Sequence, residues 1–112
     1  MTYYLAELYS PKSAWLDLDV TQRHRFFEAI ASGMEALAAL GIEAVTLGKT
    51  DASILYAPKH QFFAIWRAPD STSMNALISG IAATGWHDYF ETINAAGEGG
   101  DFGGHLAQLV AI

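Results

Sequence analysis

Few residues in this chain could move a proton. The run "GWHDYFETIN" (Gly85–Asn94) sets a histidine, two carboxylates and a tyrosine between Trp86 and Phe90. On a helix His87 and Glu91 lie four apart on one face, while Trp86, Tyr89, Phe90 and Ile93 share another. His87 could then act as a general base, with Asp88 or Tyr89 orienting a substrate. Adjacent helical side chains point about 100° apart, so His87 and Asp88 are no preformed dyad. The plainer reading is an aromatic packing face, a surface His87–Glu91 pair, and Asp88 favouring the helix dipole.

Glu7 is the second candidate. It falls mid-strand among Tyr3, Leu5 and Tyr9, where an ionised carboxylate is costly without a partner. One reading is a structural pair with Arg67, or a strand end reaching water. The other is a carboxyl of raised pKa in a ligand pocket, able to accept a proton. His60, at the entry to an apolar strand, is either a solvated loop histidine or a ligand contact. Trp15, Tyr56, Phe63, Trp66, Trp86 and Tyr89 could line an apolar cavity, or fill a core or an interface.

Other chemistries lack support. His24, His60, His87 and His105 show no close metal-ligand spacing, and no GxSxG elbow occurs. The glycine-rich "GEGGDFGGH" carries Glu98 and Asp101, which repel phosphate, and reads as a connection or lid. No cofactor is expected.

The elements that must position these residues follow from periodicity. Residues 2–9 alternate as a strand that is apolar on both faces and ends at Ser10-Pro11. Asp19 with Gln22 forms a capping-box start for a helix whose stripe is Phe26, Phe27, Ile30, Met34, Leu37 and Ala38, closed by Gly41. Residues 42–47 read as a second strand and 61–68 as a third; in the irregular connection between them "SILY" can extend a strand, which Pro58 interrupts. Asp70 caps a second helix carrying Met74, Leu77, Ile78 and Ile81. Gly85 breaks it, and the opening run resumes it to about Ala95. Residues 105–112 read as the final strand.

The order β-α-β-β-α-β predicts an α+β fold, a ferredoxin-like four-stranded antiparallel sheet with two main helices on one face. The chain reads as one domain over 1–112. Only 16% of residues are Asp, Glu, Lys or Arg, against 52% hydrophobic, so part of the apolar surface is expected to be buried against another chain. A homodimer, with two open sheet faces packed into a barrel-like core, reconciles that with strands apolar on both sides. Net charge is -6 and the six basic residues are scattered, which argues against nucleic acid and against an anionic membrane surface. The absence of cysteine and of any signal-like or spanning segment leads us to expect a soluble, cytoplasmic protein.

Three stretches carry a resemblance: "ELYSPKSAWLDL", "FFAIWRAPD" and "GWHDYFETINAAG". Together they resemble the dimeric α/β-barrel superfamily, which includes antibiotic-biosynthesis monooxygenases, muconolactone isomerases and EthD-like proteins. More narrowly the chain is similar to a small bacterial family of unknown function. The resemblance implies a ligand cavity between the sheet and helices of each subunit, and transfers no catalytic residue. It brings no haem-ligand motif of the dye-peroxidase or chlorite-dismutase type. The function expected is binding of a small apolar or aromatic molecule, with cofactor-independent monooxygenase- or isomerase-like chemistry open to Glu7, His60 and His87. The alternative is a non-catalytic interaction module whose aromatics only pack.

Overall fold

The computed structural model describes residues 1–112. Its elements run β1 (Tyr3–Pro11), α1 (Ser13–Leu16), α2 (Val20–Ala39), β2 (Glu43–Lys49), β3 (Phe62–Ala68), α3 (Ser71–Ala83), α4 (Trp86–Tyr89), β4 (Phe90–Glu98) and α5 (Phe102–Val110). The sheet order is β2-β3-β1-β4, and every neighbouring pair is antiparallel. The first and third strands are adjacent, as the ferredoxin-like order requires.

The helix starts obey local chemistry. Asp19 accepts from the Gln22 N–H at 2.8 Å, and the Gln22 side chain accepts from the Asp19 N–H at 3.0 Å. At α3 the Asp70 carboxylate accepts from the Ser73 N–H at 2.7 Å, an interaction that lowers its pKa. Beyond α2, Gly41 takes a left-handed conformation (φ 81°) that a side chain would strain, letting Ile42 turn back into the core. No residue of α2 is buried, so its stability leans on its cap more than packing usually allows. Asp19→Ala is therefore expected to cost about 1 kcal/mol in a thermal melt. An unchanged melting temperature would mean that packing alone holds α2.

Register decides which side chains meet. Leu5 pairs with Trp66, Glu7 with Ala64 and Tyr9 with Phe62 on one flank, and with Ala96, Asn94 and Thr92 on the other. These residues share the sheet face beneath the helices. Leu5, Ile42, Ala64, Trp66, Ala68, Met74 and Leu77 form the core, with Met34 and Leu37 of α2 packed against it. The core therefore lies under α3 and the C-terminal half of α2.

Two expectations about the chain's last third are overturned. The run from Gly85 is a single helical turn, Trp86–Tyr89, after which Phe90 opens β4. The strand wins because nine consecutive residues of β4 pair with β1, whereas a helix to Ala95 would leave that edge of β1 unpaired. Thr92 and Ile93 also favour extended backbone. Residues 105–112 are not a strand: Asp101 accepts from the Gly104 N–H at 2.7 Å and starts α5. The Asp101 cap was the overlooked signal. The "SILY" residues do not extend a strand either; they lie in the turns between β2 and β3.

Candidate functional site

The space between the sheet and α2 is a cavity of about 700 Å³, lined along that helix from Arg23 to Leu37. One stripe of α2 lines it, Arg23, Phe27, Ile30, Ala31 and Met34, at the three- and four-residue steps of a helix face. The sheet supplies Glu7 and Tyr9 from β1, with Phe62, Ala64 and Trp66 from β3. Trp15, Trp86 and Phe90 close one end. Leu16, Phe27 and Leu47 are solvent-exposed as well as cavity-lining, so they mark the mouth.

Glu7 is the chemical centre of this space. Its residue is only 4% exposed, yet the carboxyl borders the cavity. The Trp66 indole N–H donates to Glu7 Oε1 at 2.7 Å, and no protein group donates to the second oxygen. Burial pushes the carboxyl above the usual carboxylate range, and the indole hydrogen bond pulls it partway back. Tyr9, two residues along the same face, has its phenol raised first by burial and then by the Glu7 charge. A carboxyl with one oxygen anchored and the other facing apolar space suits proton acceptance or donation to a bound molecule.

The aromatic wall is closely packed. Trp86 stacks on Phe90 at 4.1 Å between centroids, and its indole N–H donates to Thr92 Oγ1 at 3.1 Å. Tyr9 meets Trp86 edge-on at 5.2 Å and stacks on Phe62 at 5.8 Å. Trp15 packs among Phe26, Phe27, Tyr89 and Phe90. Arg23 holds this corner: it lies over the Trp15 ring and donates to the Trp15 and Leu16 carbonyls, both at 3.3 Å. Lys12 ties α1 to α4 through the His87 carbonyl (2.6 Å) and, by its backbone N–H, the Tyr89 carbonyl (2.7 Å).

Of the residues singled out from the sequence, Glu7, Trp15, Trp66 and Trp86 come together here. The others do not. His87 is exposed on the one-turn helix, and its carbonyl, not its ring, accepts the hydrogen bond from Lys12. His60 precedes β3 outside the cavity, with a buried Nε2 that has no partner. Tyr56 is fully exposed with φ 58°, at the tip of the β2–β3 connection. Tyr89 packs behind Trp15 rather than lining the space. Phe63 points to the opposite sheet face, because it is three residues from Trp66 in a strand that alternates by two. The same parity rules out a Glu7–Arg67 pair: Arg67 sits opposite Tyr4 and pairs with Glu43 on the surface. Tyr9 and Phe62 were missed, although period two from Glu7 and Trp66 leads to both.

A four-stranded antiparallel β2-β3-β1-β4 sheet, helices on one face and a pocket beneath them define a ferredoxin-like α+β protein. Solved structures agree on the fold. A mutant chlorite dismutase from Candidatus Nitrospira defluvii superposes with a TM-score of 0.64 at 11% identity, covering 89% of this chain and 41% of that one. A dabb family protein with a ferredoxin-like fold from Mesorhizobium loti gives 0.51 at 6% identity, covering 89% of this chain and 98% of that one. The chain thus spans about two-fifths of the chlorite dismutase and nearly all of the dabb protein. No curated protein matches the sequence. The family model described as "Family of unknown function (DUF6616)" matches residues 2–112, and the chain belongs to that family. No helix is long and apolar enough to cross a membrane.

Proposed function

We propose that this protein binds a small, mostly apolar or aromatic molecule between sheet and helices, as a homodimer, with Glu7 engaging the ligand's polar end. One observation carries the reading: a carboxyl shielded from bulk solvent faces an apolar cavity of about 700 Å³, anchored through one oxygen by Trp66. Such a volume lies within the range of small-molecule sites, and a few polar groups on aromatic walls are their usual composition. The raised carboxyl also supports a cofactor-independent step in which Glu7 takes a proton from an acidic C–H or phenol, as monooxygenase- or isomerase-like chemistry would require. The competing reading, a non-catalytic interaction module, draws on the dense packing of Trp15 with Phe26, Phe27, Tyr89 and Phe90.

Native mass spectrometry of protein purified from its own host tests binding directly. A retained small molecule is expected, and Ala31→Trp, which fills the cavity from α2, should abolish its retention while circular dichroism stays unchanged. Equal retention by the filled variant would remove the ligand from this pocket. If turnover accompanies binding, Glu7→Gln should keep affinity within a few-fold and lower kcat by roughly 10²–10⁴. Sedimentation of the intact chain at micromolar concentration tests the dimer, and a clean monomer would contradict it.

A further inference from the structure

Helix α5 is the least anchored element of the chain. Every residue from Asp101 to Ile112 is exposed, yet Phe102, Leu106, Leu109 and Val110 form one apolar stripe, and Phe102–Val110 carries no charged side chain. A nine-residue helix is marginal in water on its own, so it needs a surface to pack on, and its own chain offers none. The molecule is correspondingly extended. Its accessible surface is 7645 Å², where a folded monomer of 12.1 kDa has roughly 6000 Å². The radius of gyration is 15.9 Å, where about 13 Å is usual for this length. The surface excess, on the order of 1600 Å², exceeds the roughly 800 Å² per partner that a standard specific interface buries.

The uncovered sheet face provides a complementary shape. A shallow groove runs along β1 and β4, floored by Ala6, Ala95 and Gly97 and walled by Tyr4 and Ile65. It lies at the end of the sheet where β4 finishes and α5 departs, since Glu98 pairs with Tyr3. A Cβ on Gly99 would come within 2.3 Å of the Tyr4 ring, so the wall and the departing chain are closely fitted. Small residues on a strand floor let a helix approach, and this groove carries the same apolar character as the α5 stripe.

We infer that α5 is an exchanged arm: in the dimer proposed above, each copy lays its α5 stripe into the Ala6–Ala95–Gly97 groove of the other. An isologous contact uses both surfaces twice, so one symmetric event covers two arms and two grooves. The inference rests on the dimer reading but assigns the element that holds it. A dimer joined by its sheet faces alone would leave both arms in water.

Sedimentation of the intact chain and of a Leu106→Glu/Leu109→Glu variant tests it. The dimer dissociation constant is expected to weaken by about 10⁴-fold, since the two arms bury four leucines that contribute at least about 1.4 kcal/mol each, and each such increment is tenfold. The chain has no cysteine, so a second experiment is free of background: Ala95→Cys protein is mixed with Leu106→Cys protein and oxidised. A disulfide joining the two different chains is expected. An intact chain that is monomeric overturns the dimer reading and the arm with it. An intact dimer whose constant is unmoved by the double glutamate variant, or which forms no mixed disulfide, overturns the arm alone.

Discussion

Leu77→Ala is expected to destabilise the fold by about 3–5 kcal/mol, whereas Phe27→Ala should cost less than about 1.5 kcal/mol. Both residues are large and apolar, and both lie on helices above the same sheet face. Leu77 is 0% exposed and, although it also borders the cavity, belongs to the core, so truncation removes a fully buried side chain and its packing. Phe27 is 43% exposed and lies at the cavity mouth, so truncation removes little buried area and enlarges a space that already exists. Against a typical total of 5–15 kcal/mol, the first change removes a large share of stability. Urea denaturation at one fixed protein concentration measures both, because association would otherwise enter the comparison. Equal costs would mean that α2 closes on the sheet along its whole length and that the cavity is filled by protein.

Glu7→Gln should stabilise the protein at pH 8 by about 1–2 kcal/mol, and the gain should vanish below pH 4.5. The sign follows from linkage. Burial raises the folded-state pKa of Glu7 above the ordinary glutamate value of about 4.5, so the folded state binds this proton more tightly than the unfolded chain. The stability that Glu7 contributes is therefore fully present below about 4.5 and is lost as pH rises through the folded pKa. The amide does not titrate, yet its oxygen can still accept from the Trp66 indole. The lower half of the range is the better expectation, because the cavity side of the carboxyl retains some solvation. Trp66→Phe acts in the opposite direction. It removes the one donor to Glu7, and at pH 8 should cost about 1–3 kcal/mol, less in the Glu7→Gln background where no charge loses its partner. Thermal melts from pH 4 to 8 separate these outcomes. A Glu7→Gln protein less stable than wild type at pH 8 would show a well-compensated carboxylate, unsuited to taking protons.

The sequence exposed the first two-thirds of the fold because its signals there are local. Asp19 with Gln22 and Asp70 start the two main helices where their side chains reach free N–H groups, and Gly41 and Gly85 end them by adopting positive φ. The apolar stripe of α2 was equally legible: Phe27, Ile30 and Met34 do share one face, and that face lines the cavity. Strand parity was legible in principle. Counting by two from Glu7 gives Tyr9 and from Trp66 gives Phe62, while Phe63 and Arg67 belong to the other face.

The last third was not legible in that way. The run into β4 has helical spacing, with Trp86, Tyr89, Phe90 and Ile93 on one face, and residues 105–112 have the apolar density of a strand. The first becomes a strand because the free edge of β1 needs nine residues of partner backbone, a distant hydrogen-bond demand that overrides local preference, and the second is a helix because the Asp101 cap starts one. Glu7 shows the same division most clearly. Composition and alternation alone marked it as an acid held among apolar neighbours, and so as a residue requiring an explanation. Whether Arg67 or an indole answered that need depended on the register of β1 against β3, which sets Leu5 opposite Trp66 and turns Arg67 to the far face. Register is a property of two strands together, so only the tertiary structure could decide it.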